Sequence, residues 1–190
     1  MAGACFRAPL LALLLPCLAT CALLPEERDL PLAEFNCPEA IPRGYEVRAT
    51  LRVAPAEQDF LLAMGTASDR TDLALLTPQG VPVYRISCVD DRPLVSVQTS
   101  TGDNLPPLVL LKYLAMIFMD SEALSQHLQP DWVLQEQTFG RVFMRPVTTA
   151  EIRVGYQGTA PWFSEIELVD SLNGVALRIV ILEGTRVLPE

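Results

Sequence analysis

Apolar and polar residues alternate along much of residues 45–98, in short runs separated by turn residues. In residues 45–53 every second side chain is apolar and charged or polar residues lie between them. A period of two predicts β-strands with one dry face and one solvated face. Because the turns between the runs are short, we expect an antiparallel meander. The predicted strands are residues 45–53, 60–64, 73–76, 83–88 and 94–98.

The pattern changes after residue 102, where a helical stretch interrupts the strands. Pro106 and Pro107 suit the first turn of a helix, and residues 108–119 are apolar nearly all round, with Lys112 as their one charge. Such a helix is buried on most sides or lies against a greasy surface. A second, short helix is predicted from Asp120 or Ser121 to Leu128.

Alternating runs return after the helices and predict a second meander. The predicted strands are residues 132–137, 141–145, 151–156, 163–169 and 175–182. The fold class is therefore mainly β (α+β): a curved antiparallel half-barrel of about ten strands covered by two short helices. A curved sheet around such helices would leave an apolar concavity.

The N-terminus predicts export. Residues 8–17 are a run of ten residues without charge, too short to span a bilayer but long enough for the core of a signal peptide. Pro9 and Pro16 disfavour the alternative, a buried N-terminal helix. We predict a signal peptide over residues 1–20, a tether over residues 21–43 and a folded domain over residues 44–185.

Two processing routes fit the end of the signal peptide. Ala19 and Thr20 fit an ordinary secretory cleavage site only loosely. The sequence LATC, ending at Cys21, resembles the bacterial lipobox, although Thr20 stands where a smaller residue is usual. That resemblance implies diacylated Cys21, and two acyl chains hold a protein firmly on a membrane. Ala22, in place of an aspartate, implies the periplasmic side of the outer membrane in a Gram-negative envelope.

The remaining composition excludes nucleic acid as a partner. The chain has 190 residues and a net charge of −9, and its one lysine is Lys112. No basic stripe is available to meet phosphates. Cys37 and Cys88 are the cysteines left after processing and lipidation, and an oxidising periplasm favours a disulfide between them. The alternative is two unrelated thiols.

No arrangement of residues predicts catalysis, a metal site or a cofactor. His127 is the single histidine, at the end of a short helix, and no cysteine pair has zinc spacing. Asp90-Asp91 reads as a solvated turn, and Glu165 and Glu167 as the wet face of a strand. We therefore expect no enzyme activity.

Large apolar side chains on the predicted dry faces are the candidates for a ligand cavity. Ordinary core packing is the alternative for each of them. They are Phe60, Leu62, Met64, Tyr84, Ile86, Leu114, Phe118, Trp132, Tyr156 and Trp162.

The chain resembles the DUF3261 lipoproteins and, more broadly, the LolA/LolB-like periplasmic lipoproteins. The resemblance lies in LTPQGVPVYRISCVDDRPLVS, in the apolar helix LKYLAMIFMDSEAL and in the closing strands from IRVGYQ to ALRIVIL. It implies a half-open barrel with a helical lid, residues 106–128, and a cavity for acyl chains. The Lol receptor has an exposed apolar residue on a loop between strands, whereas the loops at residues 66–71 and 77–80 are polar here.

The expected function is binding or transfer of acyl or lipid-like molecules, including aryl-polyene-type chains, or of lipoproteins. The expected partners are the membrane, through the N-terminal lipid anchor, an acyl-chain ligand and a carrier protein. The alternative is a lipid-anchored protein–protein interaction module of an envelope biosynthesis system, with a filled core and no ligand cavity.

Overall fold

The computed structural model describes residues 30–33, 45–66, 71–89, 92–97, 99, 105–159 and 162–186. Within them ten strands and two helices follow in the predicted order. The strands are β1 (Tyr45–Ala54), β2 (Gln58–Thr66), β3 (Thr71–Leu76), β4 (Pro82–Val89), β5 (Arg92–Val97), β6 (Val133–Gln137), β7 (Gly140–Arg145), β8 (Ala150–Thr159), β9 (Trp162–Asp170) and β10 (Val175–Arg186). The helices are α1 (Pro107–Phe118) and α2 (Ser121–His127).

All ten strands form one antiparallel sheet in the order β5-β4-β3-β2-β1-β10-β9-β8-β7-β6. The two meanders meet where β1 pairs with β10, the first and last strands of the chain. The sheet is not closed, because β5 and β6 each have one neighbour within it. This mainly β architecture with two short helices confirms the predicted fold class at that level.

Helix α1 supplies the centre of the core. Nine of its twelve residues are buried, including Lys112. They pack in one cluster with the alternating buried side chains of the strands, such as Leu51, Leu62 and Ile179. We call the sheet face that carries these side chains the inner face and the opposite one the outer face. The alternation that predicted the strands thus arises because one face packs around α1.

The helix ends follow local sequence chemistry. Pro107 occupies the first turn of α1, where its missing N–H costs no hydrogen bond. The side chain of Asp120 caps α2 by accepting a hydrogen bond from the backbone N–H of Ala123 at 2.9 Å. Among the described residues, no helix has both the length and the apolar character needed to cross a membrane.

Part of the predicted tether belongs to the folded core. Leu30 and Leu32 are fully buried, and Leu32 forms an isolated antiparallel bridge with Leu128. The Ala33 N–H donates to the His127 carbonyl at 2.9 Å, which fastens the segment to the end of α2. Residues 1–29, which include Cys21, and residues 34–44 lie outside the described part of the chain.

Candidate ligand-binding site

The predicted cavity residues converge on the inner face. Nine of the ten belong to the core cluster or pack against it: seven are buried, and Phe118 and Tyr156 are half-buried. Trp162 begins β9, and its side chain lies outside the described residues. The sequence therefore located the apolar inner face, but α1 occupies the middle of it.

A buried hydrogen bond fixes α1 to the turn between β9 and β10. The hydroxyl of Tyr113 donates to Oδ2 of Asp170 at 2.8 Å, and both residues are buried. Asp170 also accepts the backbone N–H groups of Leu172 and Asn173 and the side-chain amide of Asn173. Burial, reinforced by the Asp170 carboxyl group, raises the pKa of Tyr113 above its ordinary range.

The C-terminal end of α1 is held by two side chains from the second meander. Arg141 Nη1 donates to the carbonyl of Met119 at 2.7 Å and to that of Met116 at 3.3 Å. Tyr156 donates to the Ile117 carbonyl at 2.8 Å. The last carbonyls of a helix have no N–H partner within the helix, and a cation that donates to them also interacts favourably with the negative end of the helix dipole. Burial raises the pKa of Tyr156 to about 12.

The middle of α1 is also tied to the N-terminal segment. Lys112 Nζ donates to the Leu32 carbonyl at 3.0 Å, and the side-chain amide of Gln129 donates to the Leu30 carbonyl at 2.8 Å. Lys112 is thus a buried cation that has backbone oxygen as a partner. Displacing α1 would break contacts at its middle and at its C-terminal end, so α1 is fixed against the sheet.

The inner face continues beyond the helices at β5. Val95 lies directly opposite Ile86 and Val97 directly opposite Tyr84 in the ladder, so each pair shares the inner face. Val95 is 40% exposed and Val97 is 63% exposed, whereas Ile86 and Tyr84 are each only 1% exposed. The apolar face therefore passes from buried to open between β4 and β5. We call this boundary the β5 flank.

Two aromatic residues of the inner face carry buried donors that lack partners. Tyr84 Oη and Trp132 Nε1 are inaccessible to solvent and have no hydrogen-bond partner in the described structure. The Trp132 ring lies 4.8 Å from the guanidinium of Arg145, a cation–π contact. Burial raises the pKa of Tyr84 far above its ordinary value, so its hydroxyl stays a donor.

A second concave surface lies on the outer face. Arg48, Ala63, Ala74, Arg85 and Ser96 form one row across β1 to β5, residue opposite residue. Small side chains between two long arginines leave a groove of about 490 Å³, which Glu46 and Asp72 also line. This outer groove combines charges of both signs with a narrow apolar floor.

The model of a family of proteins of unknown function, DUF3261, matches residues 46–183. The chain belongs to the DUF3261 family. The match extends from β1 into β10 and so includes α1, the β5 flank and the outer groove. No curated protein matches the chain.

Of the five cysteines of this DUF3261 protein, Cys88 lies among the described residues. Cys88 is buried on β4 and is disulfide-bonded. The other four cysteines lie outside the described residues, so Cys37 as its partner and Cys21 as the lipid site stay predictions. Within the described residues, no group of acidic, histidine or cysteine side chains could hold a metal ion.

Sequence reasoning missed an exposed aromatic at a strand turn. Phe139, between β6 and β7, is 75% exposed. It lies outside the two polar loops, residues 66–71 and 77–80, that correspond to the apolar loop of the Lol receptor. The β5 flank was also missed, although Pro93 inside the run RPLVSV was an available signal, because prolines within sheets favour edge strands.

Proposed function

We propose that this protein binds acyl or polyene-like chains on the inner face of its sheet, at the β5 flank. The observation that carries the proposal is the exposure of Val95 and Val97 beside the buried Ile86 and Tyr84. An apolar chain lying along the flank would extend the core outward by one layer. Burial of apolar surface contributes about 25 cal/mol per Å², which suits a ligand of hydrocarbon type.

The anchoring of α1 argues for an entrance at the flank and against a moving lid. Lys112 and Tyr113 hold the middle of α1, and Arg141 holds its C-terminal end. Lifting α1 would expose the nine buried residues of α1 and leave buried polar groups unpaired, which is costly. Binding at the flank requires neither change.

We further propose that Cys21 anchors the protein to the periplasmic side of the outer membrane. The support is the LATC sequence at the end of a short apolar run. In a Gram-negative host supplied with labelled palmitate, wild type should carry label in outer-membrane fractions and a Cys21→Ala variant should not. Unlabelled, soluble wild-type protein in the periplasm would contradict the anchor but leave a soluble carrier open.

A transfer role would also need contact with the bilayer, and Phe139 is a candidate for it. Its ring is exposed at the tip of the β6–β7 hairpin, where an aromatic side chain can enter a membrane interface. A Phe139→Asp variant of the unlipidated protein should bind lipid vesicles more weakly than wild type. Equal binding of the two proteins would remove Phe139 from the proposal.

The direct test of ligand binding is native mass spectrometry of the purified protein, followed by titration with a fluorescent fatty acid. The proposal predicts co-purifying lipid-like mass or saturable uptake of the probe. A protein without either would not be an acyl-chain carrier.

A second candidate is a protein–protein interaction module, and two observations favour it. Helix α1 fills the middle of the inner face, and the outer groove offers charged and apolar contacts along open edge strand β5. Partner binding that depends on Arg48 and Arg85, with no uptake of acyl probe, would favour this candidate over the first.

A further inference from the structure

We propose that the sheet edge formed by residues 131–147 faces the bilayer. We call it the β6 edge, because it contains β6 and the turns on both sides of β7. Its exposed apolar side chains, Val133, Phe139 and Val147, enter the membrane interface. The inference rests on the proposed lipid anchor at Cys21. It extends the proposed contact of Phe139 to a whole edge and so gives the folded domain one orientation on the membrane.

The N-terminal segment is fastened to the folded domain at the start of the β6 edge. Leu32 forms a bridge with Leu128, and the Pro31 carbonyl accepts the backbone N–H of Gln129 at 2.8 Å. The Gln129 carbonyl in turn accepts the N–H of Trp132 at 3.0 Å, directly before β6. The chain that comes from the proposed anchor therefore joins the domain at this edge.

The chain between the proposed anchor and this attachment is short. Cys21 precedes Leu30 by nine positions, and Leu30 is fully buried. An extended chain spans at most about 3.5 Å per residue, so Leu30 stays within about 30 Å of a lipidated Cys21. A lipid anchor at Cys21 thus holds the start of the β6 edge close to the bilayer surface.

Apolar side chains are exposed at both ends of the β6 edge. Phe139, in the turn that joins β6 and β7, is 75% exposed. Val133 and Val147 lie at the other end of the hairpin and are 48% and 90% exposed. Entry into the boundary between headgroups and acyl chains would remove this surface from water, which is favourable. The edge therefore offers apolar contacts along its length where the tether brings the membrane near.

The charges of the β6 edge are balanced and paired. Residues 131–147 contain two acidic and two basic side chains, although the chain as a whole has a net charge of −9. Arg145 Nε lies 2.8 Å from Asp131 Oδ2, and Arg141 Nε lies 3.5 Å from Glu136 Oε1. An edge without net charge is not repelled by anionic lipid, so it can approach the bilayer where most of the acidic surface could not.

The test places a fluorophore on the lipidated protein in vesicles of phosphatidylethanolamine and phosphatidylglycerol. One surface cysteine is introduced at a time, as Phe139→Cys, Val147→Cys or the control Val81→Cys. Each is labelled with nitrobenzoxadiazole without reductant, which keeps the Cys88 disulfide intact. Val81 is 50% exposed before β4, which lies near the other edge of the sheet. The labels at residues 139 and 147 should emit at shorter wavelength on vesicles and be quenched by doxyl-labelled lipid, whereas the control label should show neither change.

The outcomes separate this inference from the proposed function. All three replaced residues are exposed, so circular dichroism of the labelled variants should match that of wild type. Equal emission from the three labels on vesicles would overturn the inference and leave the β6 edge to a protein partner, while the anchor and acyl-chain uptake would stand. Quenching of the control label alone would also overturn it. A wild-type protein without palmitate would remove the anchor, and the inference would fail with it.

Discussion

The hydroxyl of Tyr113 and the carboxyl group of Asp170 lie 2.8 Å apart in the core, joining residues 57 positions apart in the chain. Tyr113 lies in the middle of α1, and Asp170 ends β9. The bond connects α1, which lies between the two meanders along the chain, to the last hairpin of the second meander. Asp170 organises that hairpin as well, through its bonds to Leu172 and Asn173.

Removing the Tyr113 hydroxyl should destabilise the fold without abolishing it. Tyr113→Phe loses a buried hydrogen bond to a carboxyl group, which is worth about 1.5–3 kcal/mol. Asp170→Ala should cost more, because it removes the acceptor of the Tyr113 bond and of the three bonds from Leu172 and Asn173. Tyr156→Phe is the comparison: its hydroxyl donates to a neutral carbonyl and also contacts Arg141, but it has no carboxyl partner, and its loss should cost about 0.5–1.5 kcal/mol. Urea denaturation measures all three, and equal costs for Tyr113→Phe and Tyr156→Phe would contradict a special role for Asp170.

A methyl group should be intolerable at Gly140 and harmless at Gly155, although the two glycines are ladder partners. A Cβ on Gly140 would clash with the Val154 carbonyl oxygen, so the backbone would have to move. A Cβ on Gly155 meets no atom within 4 Å. Gly140→Ala should therefore cost several times more unfolding free energy than the few tenths of a kcal/mol, in either direction, that we expect for Gly155→Ala. Similar denaturation midpoints for the two variants would show that β7 has more room than this geometry allows.

Alkaline pH should unfold the protein as its buried tyrosines ionise. Burial raises the pKa of Tyr156 from 10.0 to about 12 and also raises those of Tyr84 and Tyr113. Because the folded pKa lies above the unfolded one, this stabilisation is fully present below pH 10 and is lost as the pH rises through about 12. Tyrosinate absorbance from these three residues should appear only together with loss of the fold, as measured by circular dichroism. Their titration near pH 10 in a folded protein would contradict the burial.

We expect the disulfide partner of Cys88 to be Cys37. Peptide mapping without reduction should find a fragment that joins these two cysteines, and reduction should lower the unfolding free energy by about 2–4 kcal/mol. A Cys88→Ala variant should show the same loss in oxidised form and no further loss with reductant. A link from Cys88 to a different cysteine would overturn the predicted pairing.

The sequence predicted the fold well because alternation is a local record of which face is buried. In runs such as residues 45–53, side chains alternate between the two faces, so the strands and their buried faces could be predicted. The pairing of β1 with β10, which joins the two meanders, was not predicted. Helix α1 could also be predicted, because a long apolar run that begins with prolines is typical of a buried helix. These elements could be predicted because their patterns lie within short continuous segments of the sequence.

The candidate site depended on contacts between distant runs, which alternation does not encode. The apolar residues of β5 were read as half-buried, but as an edge strand beyond the helices β5 is exposed on both faces. Leu30 and Leu32 lie in a proline-rich stretch that predicts a tether, yet the bridge from Leu32 to Leu128 and the bond from Gln129 to the Leu30 carbonyl hold them in the core. From the sequence, Asp170 is an ordinary turn residue; its hydrogen bond with Tyr113 depends on where α1 packs in the fold.

The most direct test of ligand binding at the β5 flank is uptake of a fluorescent fatty acid by wild type and by two valine variants. Val97→Glu places a charge on the inner face of the β5 flank, whereas Val133→Glu places one on β6, the opposite edge of the sheet. Both valines are exposed, at 63% and 48%, so neither change should unfold the protein. Binding at the β5 flank predicts that Val97→Glu weakens uptake at least tenfold, since about 1.4 kcal/mol of lost contact suffices, while Val133→Glu binds like wild type. Equal uptake by all three proteins, or none by wild type, would contradict it.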